Sequence, residues 1–335
     1  MDKLRLLTPG QLLALTSLRT GETKLGEKLQ TISSLADLPL SSCKFVLLGL
    51  PEDIGVHANF GIGGANTAWL PALKSLVNIQ STHKFRGDEM LVLGHLDFEA
   101  EMQMADQLNP ANAEELRQLR NLVEQVDTQV TEIIKLIVSA GKIPVIVGGG
   151  HNNSYPILKA FSQVFSKPIN TINIDAHADF RALEGRHSGN GFSYALKEKY
   201  LGKYAIVGLQ ENYNSQSLIH ELDSYPQQIS YSFLEDFIRG DKRYDQEFQN
   251  AMAFTEGICG LEIDLDSMVG VLSSAMSLSG FQVEQVRQMI ASTKVRQIFY
   301  LHLAEGAVKL ADGRQDPLTA KLIATLVSDF VKAQL

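Results

Sequence analysis

The stretch INTINIDAHADFR (residues 169–181) joins an apolar run to Asp175, His177 and Asp179, which are spaced two residues apart. The run is continuous rather than alternating, as expected for a strand that is covered on both faces. Residues two apart in an extended segment face the same way. The two carboxylates and the imidazole can therefore converge on one point beyond the end of the strand, and this pattern predicts a common ligand.

Seven further apolar runs resemble the one in this stretch, and helical patterns separate several of them. The runs are FVLLGL (45–50), MLVLG (90–94), IPVIVGG (143–149), YAIVGL (204–209), QISYSF (228–233), ICGLEID (258–264) and QIFYLHL (297–303). Apolar residues recur every three or four positions over 112–140, and segments 281–293 and 318–333 show a similar pattern. Strands that alternate with helices indicate a parallel sheet with helices on both faces.

We therefore predict an α/β protein, a three-layer α/β/α fold with a mostly parallel sheet of about eight strands. No internal repeat, low-complexity tract or linker divides the chain. The simplest organisation is a single domain over residues 1–335, with 1–44 as an N-terminal extension and 45–335 as the core.

The composition is that of an ordinary globular chain, with 44% hydrophobic and 20% charged residues among 335. A net charge of −8 argues against nucleic acid or an anionic membrane as a partner. The two cysteines, Cys43 and Cys259, do not have a metal-binding spacing and favour a reducing compartment. The sequence shows neither a signal-peptide core nor a bilayer-spanning stretch, so we expect a cytoplasmic protein.

Three predicted strands end in residues that commonly bind metals. Ligands of open α/β sheets bind beyond the carboxyl ends of the strands. The six candidates at such ends are His151, Asp175, His177, Asp179, Asp264 and Asp266. Any one of these motifs alone is typical of a turn or a helix cap, but the three together favour a metal site.

Six ligands exceed the needs of one ion, and four buried carboxylates around one divalent ion would leave excess negative charge. Two divalent ions about 3.5 Å apart, bridged by carboxylates, resolve both points. Oxygen-rich ligands with some imidazole suit Mn²⁺ better than Zn²⁺. We therefore predict two Mn²⁺ ions as cofactors, although other divalent ions fit the same donors.

These motifs resemble those of the ureohydrolase family, which comprises arginases, agmatinases and formimidoylglutamases. The resemblance rests on GGGH (148–151), DAHAD (175–179) and DLD (264–266). Two weaker matches are the glycine-rich segment GLPEDIGVHANFGIGGA (49–65) and LHLAEGA (301–307). The resemblance to this family implies an arginase-like fold and a binuclear metal hydrolase.

The resemblance also implies a division of the ligands. One ion would be held by His151, Asp175, Asp179 and Asp264, and the other by His177, Asp175, Asp264 and Asp266. The ions would share a water and lower its pKa, so that hydroxide attacks a planar carbon bonded to nitrogen. Asp179 would also accept a hydrogen bond from this hydroxide, and Glu305 would face the cationic amidine or guanidinium.

Two departures from the arginase pattern resemble formimidoylglutamases. Gly150 stands where arginases have an Asp before the metal-binding His. In RHSGNGFSYAL (186–196), Phe192 stands where arginases have a proton-shuttling His. The resemblance therefore favours hydrolysis of N-formimidoyl-L-glutamate to L-glutamate and formamide.

The residues after the DAHAD motif supply the remaining site candidates. His187 is a candidate proton donor to the leaving amine, or else an exposed loop histidine. Arg181 and Arg186 could bind a substrate carboxylate in bidentate fashion. Ser188 and Asn190 match substrate-contacting positions in arginases, but each could instead hold its own loop together.

Two alternatives remain open from the sequence. The first is another ureohydrolase that acts on a guanidino acid such as arginine or guanidinobutyrate. The second is a metal-binding homologue without activity, although all six ligands are intact and would crowd like charges together if no metal bound. The expected partner is a small amidino or guanidino acid. The resemblance also suggests a homo-oligomer, although the sequence shows no coiled coil.

Overall fold

The apolar runs form one nine-stranded sheet in the computed structural model, which describes residues 2–335. The strands are β1 (Leu4–Leu6), β2 (Phe45–Gly49), β3 (Met90–Leu96), β4 (Ile143–Val147), β5 (Ile169–Ile174), β6 (Leu201–Leu209), β7 (Ile229–Phe233), β8 (Cys259–Asp264) and β9 (Leu301–Ala304). Each of the eight predicted runs overlaps one strand. The additional strand, β1, has only three residues and therefore no recognisable period in the sequence.

The strand order across the sheet is β1-β3-β2-β4-β9-β8-β5-β6-β7. Only β1 is antiparallel to its neighbour, β3, and all other pairs are parallel. This architecture confirms the predicted fold class. The N-terminal segment, predicted as an extension of the core, contributes β1 and so takes part in the sheet.

Twelve α-helices cover the two faces of the sheet in residues 2–335. They are α1 (Pro9–Ala14), α2 (Ile54–His57), α3 (Trp69–Val77), α4 (Glu99–Ala105), α5 (Ala113–Ser139), α6 (Ser154–Phe165), α7 (Gly191–Lys197), α8 (Gln216–Asp223), α9 (Leu234–Arg239), α10 (Tyr244–Phe254), α11 (Val283–Ser292) and α12 (Leu318–Gln334). Short 3₁₀ turns occur at Leu25–Glu27, Leu35–Leu40, Ala65–Thr67, His151–Asn153, Ser188–Asn190, Glu211–Tyr213, Leu265–Ser267 and Thr293–Val295. Helices α5, α11 and α12 confirm the three segments with helical periodicity. No helix in residues 2–335 is both long and apolar enough to cross a membrane.

The central strands bury side chains on both faces, which explains their continuous apolar sequences. In β2, Phe45 and Leu47 pack in one core with α3, α11 and α12, whereas Val46 and Leu48 pack in the other with α5 and α6. Every residue of β2 and β4 is buried. The residues directly after β2 and β4 are therefore the first in these segments that can present polar groups at the edge of the sheet.

The strand order brings four particular strand ends together at the centre of the sheet. Strands β4, β9, β8 and β5 are consecutive neighbours and run parallel. Their carboxyl ends therefore lie side by side on one edge. The GGGH, LHLAEGA, DLD and DAHAD segments, which are far apart in the chain, all follow or end these four strands.

One glycine in this central group has a steric role. Gly260 lies in β8 beneath the ring of Tyr300, which precedes β9, and a Cβ at residue 260 would overlap that ring. Both residues are buried. The missing side chain therefore allows the aromatic ring to pack flat against the neighbouring strand.

We expect Gly260→Ala to destabilise the fold by roughly 1–3 kcal/mol, because the added methyl overpacks a closed core. The measurement is the free energy of unfolding in urea. Gly10→Ala is the matched control, since nothing lies within 4 Å of a Cβ at Gly10 and alanine suits a helix. Equal stability of the two variants would contradict this packing role.

Candidate metal centre

All six predicted metal ligands lie at the carboxyl ends of strands β4, β5 and β8. His151 follows β4 after three glycines, and the DAHAD motif follows β5 directly. Asp264 is the last residue of β8, and Asp266 lies in the 3₁₀ turn after it. The ligands form two groups that share Asp175.

The first group surrounds Nδ1 of His151. This nitrogen lies 3.2 Å from Asp175 Oδ2, 2.9 Å from Asp179 Oδ2 and 3.2 Å from Asp264 Oδ2. His151 and Asp175 are fully buried, and Asp264 nearly so. These four residues are the set that the resemblance implies for the first ion, and their donor atoms converge on one point.

The second group contains His177, Asp175 and Asp266. His177 Nδ1 lies 3.4 Å from Asp266 Oδ2 and 3.7 Å from Asp175 Oδ1. Asp264 was expected in both groups, but its donor atom falls only in the first. Its other oxygen, Oδ1, accepts a hydrogen bond from the backbone N–H of Asp266 at 2.9 Å.

The electrostatics of the centre fit two divalent cations. Burial, together with the charges of Asp266 and Asp175, raises the pKa of Asp264 well above its ordinary value. Oδ1 of Asp266 is buried and has no hydrogen-bond partner among residues 2–335. Divalent cations would neutralise this crowding, and donors that are mostly carboxylate with some imidazole suit ions such as Mn²⁺.

Protons compete with cations for the two histidines. Burial alone would lower the pKa of His151 and His177, but the neighbouring carboxylates raise the pKa of both well above the usual value. Metal ligands must be deprotonated to bind. Binding of cations to this centre should therefore weaken as the pH falls.

The backbone around the centre is held in unusual conformations. Asp179 and Glu305 have φ angles of 45° and 62°, in the left-handed region that non-glycine residues rarely adopt. In the GGGH loop, Gly148 and Gly149 have φ angles of 92° and 77°. Such strain persists only where the surroundings fix it.

A buried carboxylate that the sequence did not single out braces this loop. Glu52 Oε1 accepts hydrogen bonds from the backbone N–H of Gly150 at 3.2 Å and from the side chains of Asn152 and Asn153 at 3.2 and 2.6 Å. Its Oε2 accepts the N–H of Ile54 at 2.9 Å. Burial raises the pKa of Glu52 to about 7. In the sequence, only the position of Glu52 within the glycine-rich segment 49–65 points to a role near the centre.

A cavity of about 200 Å³ opens above the two ligand groups. Its walls include His177, Asp179, Glu305 and Tyr213, whose ring stacks on that of His177 with 5.5 Å between centroids. Glu305 Oε1 accepts the backbone N–H of His151 at 2.8 Å. Burial raises the pKa of Glu305 to about 8, and a cation in the cavity would favour its ionised form.

Arg181 and Ser188 line the same cavity. The Arg181 side chain is about half exposed and donates to Asn59 Oδ1 at 2.8 Å. Asn59 in turn donates to Ser188 Oγ at 3.2 Å. These three side chains form a polar rim whose guanidinium is accessible to an anionic ligand.

The structure places Arg186 and Asn190 outside the cavity, in contrast to the expectation that they bind substrate. Arg186 is buried, and its Nε lies 2.9 Å from Asp127 Oδ2 on α5. It also donates to the carbonyl of Asn152 at 2.8 Å and to Asn190 Oδ1 at 2.7 Å. The Asn190 amide donates to the carbonyls of Ala182 and Gly185. Both side chains are thus occupied in holding the loop against α5.

His187 is not positioned as a proton donor to substrate. It is fully buried, its Nδ1 accepts the N–H of Gly189 at 3.1 Å, and its Nε2 lies 3.2 Å from Glu184. Burial and the charges of Arg120, Arg181 and Arg186 lower the pKa of His187 to about 3. A neutral imidazole that caps its own loop and does not line the cavity cannot serve this role.

Phe192 lies beneath the metal centre rather than in the cavity wall. Its ring is fully buried, meets the ring of His151 edge-on at 5.3 Å between centroids, and stacks on Tyr204 at 4.3 Å. Phe192 therefore supports a ligand by packing. It does not face the space in which a substrate would bind.

Residues 43–331 match the arginase family. Among curated proteins, the formimidoylglutamase of Macrococcus caseolyticus is 31% identical over 216 residues, which are 61% of this chain and 65% of that protein. The formimidoylglutamase of Staphylococcus aureus is 31% identical over 225 residues, which are 62% of this chain and 68% of that protein. The match to the first of these relatives thus spans slightly less than two thirds of its length.

Solved structures share the fold at lower identity. Formimidoylglutamase from Bacillus subtilis has a TM-score of 0.73 and 16% identity, and the alignment covers 95% of this chain and 93% of that one. Trypanosoma cruzi formiminoglutamase with Mn²⁺ has a TM-score of 0.70 and 18% identity, with coverage of 93% and 98%. Agmatine ureohydrolase of Thermoplasma volcanium has a TM-score of 0.67 and 18% identity, with coverage of 97% and 97%.

We expect Arg186→Ala to destabilise the fold by about 3–5 kcal/mol, because the buried carboxylate of Asp127 loses its partner. The measurement is the free energy of unfolding in urea. Arg314→Ala is the control: it breaks an exposed pair with Asp312, and such pairs contribute about 0–1 kcal/mol. If the Arg186→Ala variant is as stable as the wild type but binds substrate more weakly, Arg186 is a substrate-binding residue instead.

Proposed function

Because this chain belongs to the arginase family, we propose that it is a metal-dependent hydrolase that cleaves N-formimidoyl-L-glutamate with water to L-glutamate and formamide. The observation that carries the proposal is the pair of ligand groups joined by Asp175, which opens onto a cavity that also contains Glu305. Formimidoylglutamases among its relatives support the choice of substrate.

Two cations would be held by the residues of the two ligand groups. The first would bind His151, Asp175, Asp179 and Asp264, and the second would bind His177, Asp175 and Asp266. Bound divalent ions would lower the pKa of a water molecule and so make it a nucleophile near neutral pH. The Trypanosoma cruzi structure with Mn²⁺ supports manganese as the metal.

The carboxylates that line the cavity orient the reactants. Glu305 faces the site of an amidinium group, and pairing with that cation keeps the carboxylate ionised despite its burial. Asp179 accepts a hydrogen bond from the attacking water. Attack on the planar amidine carbon forms a C–O bond, and the C–N bond to the glutamate nitrogen then breaks.

The leaving amine must take up a proton as it departs. His187 is sealed from the cavity and cannot supply it. The attacking water loses both of its protons as its oxygen becomes the carbonyl oxygen of formamide, and one of them can supply the amine. The simplest route passes that proton through a carboxylate that borders the cavity, Asp179 or Glu305.

The polar rim offers one guanidinium to a carboxylate of the proposed substrate. Arg181 presents a guanidinium, the group that pairs with a carboxylate through two parallel hydrogen bonds. Ser188 and Asn59 add neutral hydrogen-bonding groups beside it. Arg181 is thus the cation best placed to hold the substrate's anionic end.

We expect the purified protein to bind two Mn²⁺ ions per chain and Asp175→Asn to lose at least one of them. Asp175 belongs to both ligand groups, so its loss should lower kcat by more than the roughly 10–100-fold typical of residues that only support a ligand. Metal content by elemental analysis and turnover by formamide release are measured on the same sample. Chelated wild type should regain activity on addition of Mn²⁺.

Asp329→Asn is the matched control, since it makes the same change in α12, where Asp329 pairs with Arg287. It should retain both ions and full turnover. Full activity in Asp175→Asn would rule out the shared carboxylate, and bound metal without turnover of any amidine would favour a homologue without activity.

We expect formamide from formimidoylglutamate and little or no urea from arginine. Arg181→Ala should raise KM for formimidoylglutamate about tenfold while both ions stay bound. This value is the lower end of the range for a charge-assisted bond, roughly 1.5–3 kcal/mol, because the side chain is half exposed. Steady-state kinetics across a panel of amidino and guanidino acids provide the measurement.

Arg239→Ala is the matched control, because Arg239 is similarly exposed but lies in α9 and does not line the cavity. Its KM should equal that of the wild type. Faster turnover of arginine would show that the substrate assignment is wrong while the metal hydrolase stands. An unchanged KM in Arg181→Ala would show that a different residue binds the substrate carboxylate.

A further inference from the structure

A buried pair of charged side chains lies directly beneath the metal centre. Glu262 in β8 and His302 in β9 are register partners on adjacent strands, and both are fully buried. Glu262 lies two residues before Asp264, and His302 lies three before Glu305. The family motifs in the sequence did not draw attention to either residue.

The hydrogen bonds of the pair show that it is neutral overall. His302 Nδ1 lies 2.5 Å from Glu262 Oε2, and its Nε2 lies 3.2 Å from the carbonyl of Gly148. A carbonyl only accepts, so Nε2 carries a hydrogen, and the short contact to Glu262 holds one further proton. The pair is therefore an imidazolium with a carboxylate, or an imidazole with a carboxylic acid.

One further contact favours the carboxylate form. Glu262 Oε1 accepts a hydrogen bond from the hydroxyl of Tyr300 at 2.8 Å. The group that faces the underside of the centre is thus a fixed hydrogen-bond acceptor.

His151 lies between this acceptor and the aspartates. Its Nδ1 faces Asp175, Asp179 and Asp264. Its Nε2 lies 3.5 Å from Glu262 Oε2 and has no hydrogen-bond partner among residues 2–335. A ring that offers the lone pair of Nδ1 to a cation must carry its hydrogen on Nε2. Glu262 Oε2 is the carboxylate oxygen that lies beside that hydrogen.

We propose that Glu262, held in place by His302 and Tyr300, is a positioning residue that fixes His151 in the tautomer with a hydrogen on Nε2, so that Nδ1 is free to bind the first ion. Histidine ligands commonly donate their second N–H to a carboxylate, which orients the ring and raises its basicity. The inference rests on the proposed function only in that the centre must bind metal.

The same three side chains do not form a further cation site. His151, Glu262 and His302 lie close enough to be considered as one. However, ligands that each lie roughly 2.0–2.2 Å from one ion in a tetrahedral site stand about 3 Å or more apart. The 2.5 Å separation between His302 and Glu262 is too short for two ligands of one ion and places the two side chains in direct hydrogen-bonding contact.

The first test is Glu262→Gln, which keeps the shape of the side chain but removes its charge. Mn²⁺ titration followed by electron paramagnetic resonance gives the affinity of each of the two sites. We expect one site to weaken by about 10–100-fold and the other, formed around His177, to keep its affinity. Tyr300→Phe removes only one bond to Glu262 and should weaken the same site by less than about tenfold.

Gln334→Leu is the control for general loss of stability. Gln334 bonds to the segment before β9, at the end of that strand opposite the centre. Its variant should be less stable yet bind both ions as the wild type does. If Glu262→Gln binds both ions as the wild type does, or loses both affinities in parallel with Gln334→Leu, the positioning role is overturned. If the wild type binds a third ion that Glu262→Gln does not bind, Glu262 belongs to a further cation site and the positioning role is overturned.

A second measurement needs no substitution. In Zn²⁺-loaded wild type with ¹⁵N-labelled histidine, long-range ¹H–¹⁵N correlation spectra report which ring nitrogen of His151 carries hydrogen. We expect Nε2, and a hydrogen on Nδ1 would overturn the inference. If the wild type binds no metal, the proposed function fails. If it binds metal but the affinities of Glu262→Gln do not change, only the positioning role fails.

Discussion

The crowding of four aspartates at neighbouring strand ends is the constraint on which the rest of this molecule depends. Asp175, Asp179, Asp264 and Asp266 are buried or nearly so and lie within reach of two imidazoles. Like charges at this distance and depth cost several kcal/mol unless cations or protons offset them. The fold tolerates the cost because parallel strands impose the arrangement: once β4, β9, β8 and β5 pair in register, their ends cannot separate.

The surroundings of this charge cluster are organised to hold it rigid. Glu52 braces the GGGH loop from one side, and the Arg186–Asp127 pair anchors the loop after β5 from the other. Asp179 and Glu305 are held at positive φ, a strain of order 1–3 kcal/mol each. Glu52 and Arg186 therefore each hold a backbone segment that lies beside the ligands.

The fold class and the position of the six candidate ligands at strand ends could be predicted from the sequence, because both follow from local patterns. Continuous apolar runs mark strands that are buried on both faces, and residues two apart at a strand end must converge. Roles that depend on distant contacts were not visible. Arg186 was expected to bind substrate because it follows the metal motif, yet its partner Asp127 lies 59 residues away on α5. Glu262 and His302 meet only through the register of β8 and β9, which no local pattern specifies.

The position of Phe192 bears on which side chains could determine substrate specificity. Its apolar ring stands where arginases have a proton-shuttling histidine, but the ring packs beneath His151 and does not line the cavity. Under the proposed function, discrimination between amidines and guanidines would depend on side chains that line the cavity, such as Asn59, Arg181 and Ser188, and all three lie outside the strands. Chemistry that depends on strand register is difficult to change by substitution, whereas a rim on loops can change without disturbing the metal ligands.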